Sequence, residues 1–270
     1  MDSSAAIALS AAPGKAIEPI ERFNTYFLAS PANTPQLIEM SFALRYQVYC
    51  LERQFENPAQ HTNFQEKDEF DHHSVHSLIF YRPWAEPIGT VRIILADPDS
   101  ERLPIQKLLR EIAIDPAVSF KSENTAEISR FAISKVCRRR HSSYLSAADK
   151  SPPEQLSNLP CLGLIQCILR QSLEFGIFTW AAMMEPQLLR LLASMGIRFM
   201  PLGPLVNHHG LRQPSFCHVP QMLNVLACER PANWAIVTND GELFYPKEAA
   251  SHRQDYGLER LKLPDCNLPA

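Results

Sequence analysis

A chain of 270 residues, 46% hydrophobic and 20% charged, has the composition of a globular protein with a sizeable core, read as one domain with extensions. A formal charge of −3 gives no general case for nucleic-acid binding, and no run approaches the ~20 apolar residues a membrane helix needs. The seven cysteines (Cys50, Cys137, Cys161, Cys167, Cys217, Cys228 and Cys266) include no Cys-x-x-Cys pair, which speaks against a disulfide framework or zinc site and fits a reducing cytoplasm.

Residues 1–20 lack the basic start and apolar run of a signal peptide and read as a disordered tail. "RFNTYFLAS" predicts a first strand. Thr34 is placed to cap a helix with Pro35 at its first position. Leu37, Met40, Leu44, Val48 and Leu51 then recur at spacings of three and four, predicting one amphipathic helix over 35–53. After an acidic loop, "VHSLIFYR" (75–82) and "EPIGTVRIILA" (86–96) predict an antiparallel pair. "PIQKLLREI" reads as a short helix and "AEISRFAIS" (126–134) as a half-buried strand. A polar segment follows, containing Pro152 and Pro153. "LGLIQCILRQSLEFG" predicts an apolar helix, "IFTWAAMM" a buried strand, "EPQLLRLLASMG" a helix, and "IRFMPLG" and "SFCHV" two more strands. Asn239-Asp240-Gly241, inside "NWAIVTNDGELFYP", is a hairpin signal. The domain is therefore expected over 21–230, with a C-terminal extension carrying a hairpin over 231–270. This order predicts an α/β fold with a mixed sheet. The Gly-x-Gly-x-x-Gly and P-loop patterns are absent.

The segment "QEKDEFDHHSVH" (65–76) concentrates Glu66, Asp68, Glu69 and Asp71 before three histidines. Three readings stand. Arginines inside regular elements, Arg45, Arg92 and Arg130 with Arg22 a fourth candidate, need buried counter-charges, and Glu66, Asp68, Asp71 and Glu127 supply them. Alternatively His72, His73 and His76 bind a metal, or the loop is simply solvated.

Four short motifs in order, "RYQVYC", "EKDEFD", "GTVRI" and "EISRF", resemble the signature of the autoinducer synthases, which make N-acyl homoserine lactones. That resemblance implies a GNAT-like acyltransferase fold, a mixed central sheet flanked by helices. The extra length, the Pro/Ser insertion after "EISRF", "NHHGLRQPS" and the C-terminal segment resemble instead the exosortase-associated acyltransferases, which include long-chain N-acyl amino acid synthases. The implied reaction is transfer of a fatty acyl group from acyl carrier protein, a phosphopantetheine thioester, to the α-amine of a small amino acid. Acyl-coenzyme A is the other donor it allows. No bound cofactor or metal is implied. The alternatives are a homoserine lactone synthase using S-adenosylmethionine and a non-catalytic lipid- or protein-binding member.

Such a reaction needs a base for the ammonium proton, and Glu127 is the candidate. Its other reading is an ion pair to Arg45. Ser129 shares its strand face, and alternation puts Arg130 on the opposite one. Arg92 or Arg130 is suited to clamp a substrate carboxylate, or only to neutralise the acidic stretch. Lys135, Arg138, Arg139 and Arg140 form a basic run that docks an acidic carrier protein or is merely solvated. Phe175, Phe178, Trp180, Met183 and Met184 line an acyl tunnel or belong to the plain core. The coenzyme A pyrophosphate-loop pattern is missing, which favours the carrier protein as donor.

Overall fold

The computed structural model describes residues 18–96, 103–111, 124–137, 139, 153–207 and 210–243. The N-terminal tail expected over 1–20 lies almost wholly outside them. Helix α1 (Pro19–Tyr26) leads into β1 (Phe27–Pro31), so the first half of the expected opening strand is helical. Helix α2 (Pro35–Arg45) starts as the sequence predicts: the Thr34 hydroxyl accepts the Leu37 N–H at 3.3 Å. Then come β2 (Ser74–Tyr81), β3 (Glu86–Ile94), α3 (Pro104–Glu111) and β4 (Thr125–Ile133). The second half carries α4 (Pro153–Glu174), β5 (Thr179–Met184), α5 (Pro186–Ser194), the short β6 (Met200–Pro201) and β7 (Val206–Asn207), and β8 (Leu211–His218). Helices α6 (Val219–Glu229) and α7 (Pro231–Thr238) follow.

The sheet runs β1-β2-β3-β4-β5-β8-β6, with β7 also paired to β8. Among the described residues every pairing is antiparallel except β4 with β5. One face carries the main core, where Ile79, Val91, Ile93, Ile128 and Trp180 meet Leu164, Ile165 and Ile168 of α4. Gly163 sets how close α4 sits: a Cβ there would lie 2.3 Å from Ile79 Cδ1 and 2.9 Å from the Phe23 ring. Gly163→Ala should therefore destabilise by about 1–3 kcal/mol, the usual cost of overpacking, even though alanine favours helix. Urea unfolding checks this, and an unchanged midpoint would mean α4 can shift freely.

The opposite face is covered in two patches. Leu44 of α2 packs with Leu78 and Ala32, and the Ser41 and Thr90 hydroxyls meet at 3.0 Å. Leu103, Ile105 and Leu109 around α3 pack with Ala181, Leu202 and Phe216. Between these patches lies a strip of polar residues on β3 and β4.

Three local readings differ from the sequence expectation. The helix over 35–53 changes character at Arg45, and Tyr46–Glu52 is a π-helix. Among the described residues the C-terminal hairpin is absent: "NWAIVT" lies in α7, capped by left-handed Asn239. The apolar residues that suggest a strand are buried there, as the main core takes up Ile236 and Val237. Of the strand expected over 197–203, only Met200–Pro201 pairs. Helix α6 has no side-chain cap at its start, and so no polar signal in the sequence announces it.

Candidate active site

The acidic stretch is paired. Arg45 closes α2 fully buried, donating through Nε to Glu66 Oε2 and through Nη1 to Asp71 Oδ1, both at 2.6 Å. Arg92 of β3 donates to Asp71 at 2.7 Å and to the Ser129 hydroxyl at 2.9 Å, and it also bonds Asp68. Arg130 of β4 forks onto Glu66 at 2.8 and 3.0 Å and reaches Asp68 at 3.0 Å. The loop is pre-shaped for this. Asp68 caps the short turn Glu69–His73, and Asp71 Oδ2 accepts back from the Asp68 N–H at 2.8 Å. Three guanidiniums thus face three hydrogen-bonded carboxylates, and Glu56 approaches Arg130 at 3.9 Å. Arg22, on α1, is not part of this set among the described contacts.

Burial alone would raise the carboxylate pKa values. Hydrogen bonds from Arg130 and Arg45 override it and hold Glu66 at about 2, and Arg45 and Arg92 hold Asp71 well below the usual range. Groups with depressed folded pKa values stabilise the fold above their unfolded values, near about 4. They lose that contribution as pH falls toward about 2. The urea midpoint should therefore fall steeply below about pH 4. Replacing Glu66 by Gln should flatten that fall; an acid limb of unchanged steepness would contradict the pairing.

Two backbone irregularities assemble the network. The β3–β4 register shifts between Thr90 and Arg92, where Arg92 faces Ser129 and Thr90 faces Ala132. At this bulge Arg130 adopts φ +49°, which brings its side chain to Glu66 and to Asp68, the carboxylate it shares with Arg92. The expectation that Arg130 points to the other face is corrected: alternation fails where two residues oppose one. A left-handed arginine costs about 1–3 kcal/mol, a strain that gathers at functional sites. The π-helix brings Tyr49 under Arg130, whose guanidinium carbon is 5.2 Å from the ring centroid. It also sends Glu52 to the end of β4, where its carboxylate accepts from the Ser134 hydroxyl at 2.6 Å and the Lys135 N–H at 2.7 Å.

Glu127 stands apart from the network, contrary to its reading as a counter-charge or a partner of Arg45. Its register partner is Ala181 of β5, and its Oε2 accepts the N–H of Ile105, in the first turn of α3, at 2.7 Å. The α3 packing that buries Ile105 also buries the carboxyl. Burial raises its pKa to about 7, against the lowering effect of that N–H and of Arg92. A carboxyl poised near neutrality is suited to take up and release a proton. Just beyond it the two strands part: β4 and β5 pair only from Thr125–Thr179 to Ile128–Ala182, while β4 runs on to Ile133.

His72 Nε2 and His73 Nδ1 meet at 3.0 Å, but the three histidines do not converge on one point. His72 is exposed, while His76 is buried beside the network, 3.6 Å from Asp71. Burial first, then Arg45, pushes the His76 pKa down to about 4, so it is neutral. Among the described residues no group of three His, Cys, Asp or Glu is arranged to hold a metal. Of the basic run, Lys135 is half-buried and Arg139 exposed, while Arg138 and Arg140 lie outside the described residues. The apolar residues expected to line a tunnel are separated. Trp180 and Met184 are in the main core, Phe178 packs against it, and Phe175 is exposed. Only Met183 packs against the α3 patch beside Glu127. Strand alternation is the cause: Trp180 and Met183 are three apart and face opposite sides. Sequence reading misses the role of α3 in holding Glu127, although Pro104 marks the helix start.

The description "Acetyltransferase (GNAT) domain" matches residues 44–147, spanning Arg45, the acidic stretch, Arg92, Glu127 and Arg130. The chain carries the GNAT fold. Among solved structures it is similar to TofI in complex with an inhibitor and MTA, at 16% identity and TM-score 0.54, covering 77% of this chain and 99% of that one. It is also similar to BjaI, a CoA-dependent acyl-homoserine lactone synthase with MTA, at 20% identity and TM-score 0.52, covering 75% and 88%. A third is MesI, another CoA-dependent acyl-homoserine lactone synthase, at 16% identity and TM-score 0.50, covering 82% and 97%. No curated protein matches the chain. No described helix is long and apolar enough to cross a membrane.

Proposed function

We propose that this GNAT-fold chain is an N-acyltransferase that moves a long-chain fatty acyl group from acyl carrier protein to the α-amine of an amino acid. The observation that carries the reading is Glu127, a buried carboxyl near its neutral point beside parted strands and outside the compensated ion network. The acceptor's ammonium gives one proton to Glu127. The freed amine attacks the thioester carbonyl, a C–N bond forms, and the C–S bond breaks with the electron pair leaving on sulfur. The proton shed by nitrogen after attack neutralises that thiolate. Backbone N–H groups of β4 beyond Ile128, unpaired with β5, are suited to the oxyanion.

Arg130 is the one network arginine with an exposed edge, at 21%, and it is assigned the acceptor carboxylate; Arg92, at 2%, only orients the carboxylates. The α3 patch with Met183 takes the start of the acyl chain. Lys135 and Arg139, at the end of β4, meet the acidic carrier protein.

The test is a product assay. Purified protein is incubated with acyl carrier protein or coenzyme A loaded with a long acyl chain, an amino acid mixture and, separately, S-adenosylmethionine. The expected product by mass is an N-acyl amino acid formed from the carrier-protein donor. An acyl-homoserine lactone would replace this reading with the lactone synthase, and no acylated product from any combination would leave a non-catalytic member of the fold.

A further inference from the structure

A second charged cluster lies at the far end of β5. Glu185, the residue after that strand, is approached by Arg212 Nη1 at 3.4 Å and by Arg53 Nη1 at 3.5 Å. Both guanidiniums lie over one ring, Phe55, at 5.2 Å for Arg212 and 5.8 Å for Arg53. Phe55 in turn sits 6.4 Å from Tyr49, the ring beneath Arg130, so the cluster adjoins the candidate active site. Among the described residues Glu185 is the sole carboxylate within ion-pair distance of either arginine.

The charge count differs from that of the inner network. There three arginines meet three hydrogen-bonded carboxylates, with Glu56 a fourth 3.9 Å from Arg130, leaving no surplus for a doubly charged ligand. Here two arginines share one carboxylate, at distances longer than a good charge-assisted hydrogen bond. Arg212 is only 13% exposed, and among the described residues its one hydrogen bond is from Nη1 to the Leu211 carbonyl at 3.2 Å. A guanidinium carries five N–H donors, so most of this largely desolvated group's capacity is unspent.

Position selects the ligand. Glu127 lies level with Ala181, and Glu185 is four residues further along, about 13 Å at strand rise. An α-amino acid carries its amine and carboxylate on one carbon and does not span that gap. A donor arm with the thioester at one end and a phosphate at the other does. At the open end of β4 the Ser134 hydroxyl and the Lys135 N–H are already taken by Glu52, and the Lys135 and Arg139 side chains are assigned to the carrier protein's surface.

We propose that Arg53 and Arg212 bind the phosphate of the acyl donor's phosphopantetheine arm. This rests on the donor reading above, so the test measures binding rather than turnover. Calorimetry compares 4′-phosphopantetheine with pantetheine, which lacks the phosphate, on wild type and on R53Q/R212Q. Wild type should bind the phosphorylated arm at least about tenfold more tightly, and the variant should lose that ratio. Pantetheine affinity is the folding control, since general damage weakens both probes alike. An absent preference in wild type, or one that survives in the variant, overturns the proposal. A third arm compares an amino acid with its amide. If the variant loses that discrimination while keeping the phosphate ratio, the pair holds the acceptor carboxylate and the donor assignment falls. An arginine-dependent phosphate preference without product formation supports the site and sinks the reaction; turnover without the preference does the reverse.

Discussion

Glu127→Gln should abolish most acyl transfer while leaving the protein folded and, above neutrality, more stable. Glutamine keeps an oxygen to accept the Ile105 N–H but takes up no proton, so the rate should fall toward the roughly 10²–10⁴-fold loss typical of a missing general base. The wild-type rate under kcat/KM conditions should rise with pH through about 7, as the buried carboxyl ionises, and that limb should vanish in the variant. The stability sign is fixed by the same shift. A carboxyl whose folded pKa lies above its unfolded value binds more protons when folded. It therefore lowers stability as pH rises from about 4.3 to 7. The uncharged glutamine side chain escapes that cost, which is on the order of 4 kcal/mol at full expression. The variant's urea midpoint should exceed wild type at about pH 8 and converge with it at about pH 4. A folded variant with near wild-type turnover would remove the catalytic role, and one destabilised at the higher pH would make Glu127 an ion-pair partner after all.

Arg45→Met should cost about 3–5 kcal/mol, because it leaves three carboxylates and two arginines in a site where Glu66 and Arg45 are almost fully buried. At this chain size that is a melting-temperature fall on the order of 10 °C. Adding Asp71→Asn restores the charge balance, and its amide oxygen can still accept the Asp68 N–H, so part of the loss should return. Urea unfolding of the two singles and the double near neutral pH gives the coupling. Strict additivity, or a single variant within about 0.5 kcal/mol of wild type by the usual surface standard, would show that Arg45 is not coupled as its geometry requires.

The acidic stretch and its arginines are legible in the sequence, since arginines inside regular elements must find partners. The pairing is not, because it depends on a bulge that turns Arg130 and on a π-helix that carries Tyr49 and Glu52 inward. Neither leaves a mark in hydrophobic periodicity. The expected apolar tunnel fails for a related reason: Trp180 and Met183 are equally apolar, and only the sheet's two faces separate them. The Arg53–Glu185–Arg212 cluster draws one member each from the residues after α2, after β5 and in β8, and no local spacing announces it.

By itself the sequence determined the αβ order of elements, the Thr34-Pro35 helix start, and the requirement that "EKDEFD" and the buried arginines satisfy one another, because local sterics and desolvation act on residue type alone. What only the tertiary structure decided is which charge meets which, and that among the described residues Glu127 accepts a backbone N–H and forms no ion pair. Its proton affinity is set by α3 closing over β4, since desolvation and Coulomb energy depend on distances through space that the chain acquires only when it folds.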